Sequence, residues 1–201
     1  QAEHVPIHVG AMPWAVQSVD EFFKGRVKPG DVYLLNDPYH GGNHLPDLTA
    51  FVPVFVEGEL MFWSINRSHQ SDIGGSTHGA YNPGATEIWQ EGIRITPLKL
   101  YDAGELRDDV MKMLATNVRH PDDFLGDLRA MIGSARVGER RVLQLLDEYG
   151  PKTVMAGVDE ILDSAERETR ACITQWKDGV FRGEAILDDD GHGFTDIPIR
   201  A

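Results

Sequence analysis

The sequence predicts an α+β fold, with a sheet containing a β-hairpin in the first half, long helices in the second half and short terminal strands. Two β-rich runs, residues 49–56 and 60–66, are separated by Glu57-Gly58-Glu59, a pattern typical of a hairpin. Apolar residues then recur at helical spacing through most of residues 106–176. We expect a single domain over residues 1–201, with the candidate site in the loops of its first half.

The first elements follow from local patterns. Residues 1–10 alternate in apolar character, which favours an extended segment, and residues 12–25 have helical spacing with Pro13 in the first turn. Residues 32–35 form a short, wholly apolar strand that ends at Asn36. The loop that follows, residues 36–47, contains Pro38, Gly41 and further Gly and Pro residues that exclude a regular helix. A loop after a buried strand is a common place for a functional site.

A second irregular loop, residues 67–83, follows the hairpin. We expect a short helix over residues 85–91 and a strand over residues 93–100 that Pro97 interrupts. The later elements are helices over residues 106–118, 121–149 and 152–176, then strands over residues 180–187 and 195–199 joined by an acidic turn.

The composition excludes several classes of protein. The formal net charge is −13 and the Lys and Arg residues are scattered, which argues against nucleic-acid binding. No apolar run is long enough to span a membrane and no signal-peptide pattern opens the sequence, so we expect a cytoplasmic protein without a membrane partner. The lone Cys172 excludes a disulfide framework, and its helical context predicts a buried structural thiol.

Two segments place a histidine three residues before an aspartate, His44 before Asp47 and His69 before Asp72. They flank the predicted hairpin, which would bring them together. Imidazole and carboxylate ligands suit a divalent cation of intermediate hardness such as Zn, Mn or Fe(II). We therefore predict a metal site formed by these four residues. The alternative is that the carboxylates cap turns while the imidazoles bind backbone groups.

Other residues are secondary candidates. Asp37 and His40 are possible additional ligands, although Asp37 is also suited to an Asx-type turn. Glu87 is a candidate either to hydrogen-bond and orient a metal ligand or to act as a general base, and Glu91 is equally suited to a solvated helix face. Arg67 is suited either to a substrate carboxylate or to a structural ion pair. The remaining histidines fall outside the paired pattern and are predicted to be structural: His4, His8, His78, His120 and His192.

Several uncommon motifs occur in a definite order: GDVYLLNDPYHGGNHLPD (30–47), NRSHQSDIGG (66–75), PGATEIWQEGIRI (83–95), HPDDFLGDLRA (120–130) and LLDEYG (145–150). With these motifs the chain resembles the hydantoinase B/oxoprolinase family, which is related to the large subunits of ATP-dependent acetone and acetophenone carboxylases. Family members are usually much longer, so the resemblance implies an incomplete portion of the family domain. Relatives often have a second histidine where this chain has Gln70.

The resemblance implies a metal-bearing subunit of an ATP-dependent hydrolase that acts on a cyclic amide such as a hydantoin or 5-oxoproline. It also implies a hetero-oligomer with a hydantoinase A-like subunit that binds ATP. The chain itself has no glycine-rich phosphate loop followed by Lys and Ser or Thr, so we expect no nucleotide-binding residues here. The alternatives are a subunit of a ketone carboxylase and a non-catalytic assembly partner with a structural ion.

Overall fold

The computed structural model describes residues 5–79 and 81–201. Its contacts divide the chain into two compact units, Gln1–Gln144 and Leu145–Ala201. The single domain expected over residues 1–201 stays a prediction. Among the described helices, none combines the length and apolar character needed to cross a membrane.

The first unit is built on a five-stranded antiparallel sheet with the strand order β3-β2-β1-β4-β5. Its elements are α1 (Pro6–Phe22), β1 (Val32–Leu35), β2 (Asp47–Val56), β3 (Glu59–His69), β4 (Leu98–Asp102), β5 (Glu105–Leu106), α2 (Asp108–Thr116) and most of α3 (Pro121–Tyr149). Short 3-10 turns span Pro38–His40 and Ile88–Gln90. The predicted α+β class and hairpin are confirmed, and both hairpin strands extend further into the site loops than their apolar runs indicated.

The sheet is covered on both faces. Val32 and Leu34 of β1 belong to a core cluster that also contains side chains of α2 and α3, while Tyr33 and Leu35 belong to a second cluster with side chains of α1. Successive side chains of a strand point to opposite faces, so a strand covered on both sides is apolar throughout. This accounts for the uninterrupted apolar run of β1.

The prediction for the start of the chain is wrong where the structure describes it. Residues 6–10 belong to α1, which begins at Pro6, and residues 1–4 lie outside the described residues. Proline is well suited to a first helical turn because its missing N–H has no intrahelical partner there. Pro13, predicted to open the helix, instead lies inside it. The apolar alternation of these residues therefore does not indicate a strand.

Two later predictions were too long. The helix expected over residues 85–91 is only the 3-10 turn Ile88–Gln90, and the strand expected over residues 93–100 begins at Leu98. Pro97 explains the second difference, because proline supplies no N–H to a sheet ladder. The short strand β5 was not predicted, and it pairs with β4 through Tyr101↔Leu106 and Asp102↔Glu105.

The second unit contains the end of α3, α4 (Pro151–Ile173), and the hairpin of β6 (Glu184–Asp189) and β7 (Thr195–Arg200). The bounds of α3 are those predicted, and the two terminal strands are confirmed. None of the residues of α4 is buried. The expectation of a buried Cys172 is consequently wrong, because this thiol lies on an exposed helix.

Candidate functional site

A pocket lies where β2 begins and β3 ends, beside the first turn of α1. It has a volume of about 460 Å³ and is lined by Val5, Ile7, His8, Asn43, His44, Asp47 and His69. Asp47 and His69 are directly opposed in the β2–β3 register, so the hairpin itself brings them together. The prediction that the hairpin returns the chain to the first site loop is confirmed.

Three of the four predicted ligands meet at this pocket. His44 Nε2 lies 3.3 Å from Asp47 Oδ1, and the rings of His44 and His69 have centroids 5.0 Å apart. The Asp47 side chain is only 5% exposed, whereas His44 is 37% exposed and His69 is exposed. The pocket thus combines one buried carboxylate with two imidazoles that solvent reaches.

The fourth predicted ligand, Asp72, does not line the pocket. One of its oxygens accepts the Arg119 backbone N–H, and the other accepts Arg119 Nη1 at 2.9 Å and the Gly74 N–H at 3.3 Å. Burial by itself raises the pKa of the Asp72 carboxyl, but the hydrogen bonds from Arg119 and Gly74 hold the pKa below its ordinary value. Both oxygens of this carboxylate are committed to the protein.

The loop between β1 and β2 is held at its base by Asn36. The buried Asn36 side chain donates to the carbonyl of Leu45 at 2.7 Å and to that of Ile93 at 2.8 Å, and it accepts the Ile95 N–H at 2.6 Å. Further along, Gly41 has φ +90°, and a Cβ there would collide with the backbone of Ala15 in α1. Glycine therefore lets the loop pack directly on α1, which places the first turn of that helix at the pocket.

The additional candidates Asp37 and His40 form a separate arrangement. Asp37 Oδ2 lies 2.8 Å from both His40 Nδ1 and Arg94 Nε, and Oδ1 accepts the Tyr39 N–H at 3.0 Å. The last contact is the Asx-type turn given as the alternative for Asp37. Burial raises the pKa of the Asp37 carboxyl, but the Arg94 hydrogen bond and the Tyr39 and His40 contacts keep the pKa below its usual value. Neither Asp37 nor His40 lines the pocket.

Arg67 lies on β3, two residues before His69, and is 8% exposed. Its guanidinium donates to Thr49 Oγ1 at 2.7 Å, to Asn43 Oδ1 at 3.1 Å and to the Gly41 carbonyl at 2.9 Å. Burial lowers the pKa of Arg67, and the nearby Asp47 carboxylate opposes that shift. These direct contacts are with neutral acceptors, so the structural ion pair considered for Arg67 is not what holds it.

The Arg67 contact fixes the orientation of Asn43. A guanidinium only donates hydrogen bonds, so the Asn43 carbonyl oxygen must face it and the amide NH₂ must face the other way. That NH₂ group donates to Asp47 Oδ2 at 3.3 Å. Arg67 therefore acts on the pocket through Asn43 and Asp47.

Glu87 is not at the pocket. It is exposed and precedes the Ile88–Gln90 turn, where its backbone carbonyl accepts the Gln90 N–H at 3.0 Å and its backbone N–H donates to Gln90 Oε1 at 3.4 Å. The proton-transfer role predicted for Glu87 stays a prediction without support from its position.

His8, predicted to be structural, is a titratable pocket residue that the sequence pattern does not indicate. Its Nε2 lies 2.8 Å from Asp47 Oδ2, although the two residues are 39 positions apart in the chain. Starting α1 at Pro6 would have placed Val5, His8 and Met12 at helical spacing on one side of the helix, and these residues do line the neighbouring cavity. The prediction of an extended segment over residues 1–10 hides this helical spacing.

The imidazole and carboxylate groups at the pocket are of the types that bind a divalent cation such as Zn, Mn or Fe(II). At a Zn–N distance of about 2.1 Å, two imidazoles on one cation have ring centroids about 5 Å apart, as His44 and His69 do. Across the part of the chain that the structure describes, no three His, Cys, Asp and Glu side chains converge closely enough to hold a metal as they stand. The donor chemistry and the spacing of the two rings therefore fit a divalent cation, but the His44, Asp47 and His69 side chains are not close enough together to form its coordination shell as they stand.

Comparison with known proteins extends these observations. The family model described as hydantoinase B/oxoprolinase matches residues 1–201. The chain is 43% identical to the caprolactamase subunit beta of Pseudomonas jessenii, over all of this chain and 35% of that protein. The crystal structure of the ATP-dependent caprolactamase of Pseudomonas jessenii matches with a TM-score of 0.88 and 42% identity, over 97% of this chain and 34% of that one.

A more distant likeness is to the nucleotide-free structure of acetone carboxylase. Its TM-score is 0.68 with 26% identity, over 74% of this chain and 20% of that one. The chain thus spans about a third or less of the length of the proteins it resembles. The match of the family model over every residue, together with the fold, the site loops and these relatives, shows that the chain belongs to the hydantoinase B/oxoprolinase family.

Proposed function

We propose that this chain carries the metal centre of an ATP-dependent enzyme that hydrolyses a cyclic amide. The observation that supports this proposal most directly is the meeting of His44, Asp47 and His69 at an open pocket between the ends of β2 and β3. The relative with 43% identity is named a caprolactamase subunit, and the family model includes oxoprolinases.

In this proposal His44, Asp47 and His69 hold the metal, with Mn, Zn or Fe(II) as the suitable ions. Three protein ligands leave room for water or substrate, which is typical of catalytic sites. Asp72 is left out of the proposed set because Arg119 and Gly74 occupy both of its oxygens. When bound, such a cation polarises a carbonyl or lowers the pKa of a bound water.

The residues of the chain would perform the other tasks. Asn43, oriented by Arg67, holds the carboxylate of Asp47 so that Oδ1 faces His44. Val5 and Ile7 give the pocket an apolar side, which suits the hydrocarbon part of a lactam ring. The same pocket thus offers polar groups for the amide and apolar groups for the ring.

We propose that ATP binds to a hydantoinase A-like partner subunit in a hetero-oligomer. We also propose that the enzyme is cytoplasmic, where ATP is available. Two observations support the assignment of ATP binding to a separate subunit. The sequence has no glycine-rich phosphate loop followed by Lys and Ser or Thr, and the relative with 43% identity is named a beta subunit.

The test combines metal content with turnover. Elemental mass spectrometry of the purified protein should find about one Mn, Zn or Fe per chain, and His44→Ala and His69→Ala should each remove it. His192→Ala is the matched control, because His192 is exposed in the second unit. With the ATP-binding partner added, wild type and control should open a lactam ring at the expense of ATP, and the two pocket variants should not. Turnover by His69→Ala at the wild-type rate contradicts the proposal.

A ketone carboxylase subunit is the second candidate, favoured by the structural likeness to acetone carboxylase. The same preparations distinguish the two reactions. ATP-dependent incorporation of labelled bicarbonate into a ketone, without lactam opening, would select the carboxylase. A folded protein that supports neither reaction and holds a metal with a filled shell would select the assembly partner.

A further inference from the structure

The first turn of α1 contributes a polar contact to the candidate site. His8 Nε2 lies 2.8 Å from Asp47 Oδ2, and the two side chains are 15% and 5% exposed. A carboxylate only accepts hydrogen bonds, so Nε2 of His8 is protonated and donates a hydrogen bond to Asp47. This interaction joins α1 to the start of β2.

The two oxygens of Asp47 have different surroundings. Oδ2 receives His8 Nε2 and Asn43 Nδ2, at 2.8 and 3.3 Å. Oδ1 lies on the side of His44, 3.3 Å from its Nε2. Because two donors hold Oδ2, the carboxylate cannot turn freely, and Oδ1 is the oxygen presented to His44.

We propose that His8 is a positioning residue for the metal-binding carboxylate of Asp47. This inference rests on the proposed function of the His44, Asp47 and His69 pocket. Hydrogen-bonding partners of a ligand orient it and tune its strength, and their loss commonly weakens metal binding about 10- to 100-fold. In this arrangement His8 and Asn43 approach Asp47 from two different elements, α1 and the β1–β2 loop.

His8 is not needed to attach α1 to the sheet. The later turns of this helix place Ala15 and Val19 in the core, both 0% exposed, and Phe23 just beyond the helix is 7% exposed. They belong to the cluster that contains Tyr33 and Phe51 of the sheet. The apolar contacts therefore anchor the helix, and the polar contact of its first turn is available for the site.

The experiment titrates the purified protein with Mn²⁺ and, separately, Zn²⁺ by calorimetry. His8→Ala should bind about 10- to 100-fold more weakly than wild type, while circular dichroism and Tm stay close to those of wild type. His8→Gln should recover most of the affinity, because its amide nitrogen can replace Nε2 as a donor to Oδ2. His192→Ala is the control for loss of an exposed histidine, and His44→Ala tests the metal site itself.

The outcomes separate the two proposals. If wild type binds neither ion, the proposed function fails and the role of His8 fails with it. If His44→Ala abolishes binding but His8→Ala binds as wild type does, only the role of His8 is overturned. If His8→Ala loses both affinity and helix content and His8→Gln restores neither, His8 is an anchor of α1 and the inference is wrong.

Discussion

The two His-x-x-Asp segments, His44 to Asp47 and His69 to Asp72, share one spacing, and each lies at an outer end of the β2–β3 hairpin. In the first, the imidazole faces its own aspartate across 3.3 Å. In the second, the histidine faces the pocket while the aspartate binds Arg119. An aspartate is available as a ligand only when its hydrogen bonds leave one oxygen free, and spacing alone does not determine this.

The largest expected effect comes from replacing the aspartate of each segment by asparagine, which should affect metal binding in the first segment only. Asp47→Asn should lower metal affinity and turnover by more than about 100-fold, because it removes a charged ligand and not merely a partner of one. Asp72→Asn should keep the metal stoichiometry of wild type. Calorimetric titration and steady-state assays measure both, and equal losses in the two variants would remove the distinction between the segments.

The next effect concerns stability. Asp72→Ala leaves the Arg119 backbone N–H and guanidinium without their carboxylate, and we expect a loss of about 2 to 3 kcal/mol in the free energy of unfolding. Asp163→Ala, at an exposed position of α4, is the control and should change the free energy by less than about 0.5 kcal/mol. Urea unfolding followed by circular dichroism compares them. A loss as small as that of the control would mean that the Arg119 contact contributes little.

The stabilisation by Asp72 should also depend on pH. The folded-state pKa of this carboxyl lies below its ordinary value of 3.8. A carboxyl with a lowered pKa stabilises the fold above the unfolded-state pKa, and this stabilisation disappears as the pH falls through the folded-state pKa. The difference in Tm between wild type and Asp72→Asn should therefore be full at neutral pH and shrink below about pH 4. A difference that grows on acidification contradicts the assigned direction.

A smaller effect is expected from Arg67→Lys. An ammonium group cannot reproduce the planar set of donors that reaches Thr49, Asn43 and the Gly41 carbonyl. Asn43 would lose its fixed orientation, but His8 would still hold Asp47, so we expect metal affinity to fall by about tenfold. The same titration measures it. A loss as large as that of Asp47→Asn would show that Arg67 contacts the metal or substrate more directly.

The smallest effect is expected inside the second segment. Gln70 is 1% exposed, and its Oε1 has no hydrogen-bond partner among the described residues. Gln70→Leu removes this unsatisfied oxygen but also loses the donor contact to the Ser68 carbonyl. The two effects oppose each other, so the free energy of unfolding should change by less than about 1 kcal/mol. A larger loss in urea unfolding would indicate a partner for the oxygen.

Local sequence patterns were sufficient where an element is determined by its own residues. The hairpin follows from two β-rich runs around Gly58, and α3 has its predicted bounds because it begins at Pro121 and its helical periodicity continues to Tyr149. The pairing of Asp47 with His69 then follows from the hairpin itself. These parts of the fold and site could be predicted without knowledge of distant contacts.

The remaining features depend on partners far away in the sequence. The sequence predicts Asp72 as a metal ligand because nothing near it in the chain indicates Arg119, which is 47 residues away. The sequence gives no local sign of the role of His8, because its partner Asp47 lies 39 residues away and because apolar alternation near Pro6 resembles a strand. Cys172 was expected to be buried because helical periodicity shows which residues share a face but not whether another element covers that face.

The buried side chain of Asn36 has a consequence for local opening motions. Its hydrogen bonds tie the end of β1 to the carbonyl of Leu45 just before β2 and to the segment that precedes β4. The amide protons of Asn36 and Ile95, both hydrogen-bonded across this junction, should therefore exchange with solvent in one cooperative event. The base of the β1–β2 loop would then behave as a single exchange unit that opens more slowly than the exposed turn at Glu57 and Gly58.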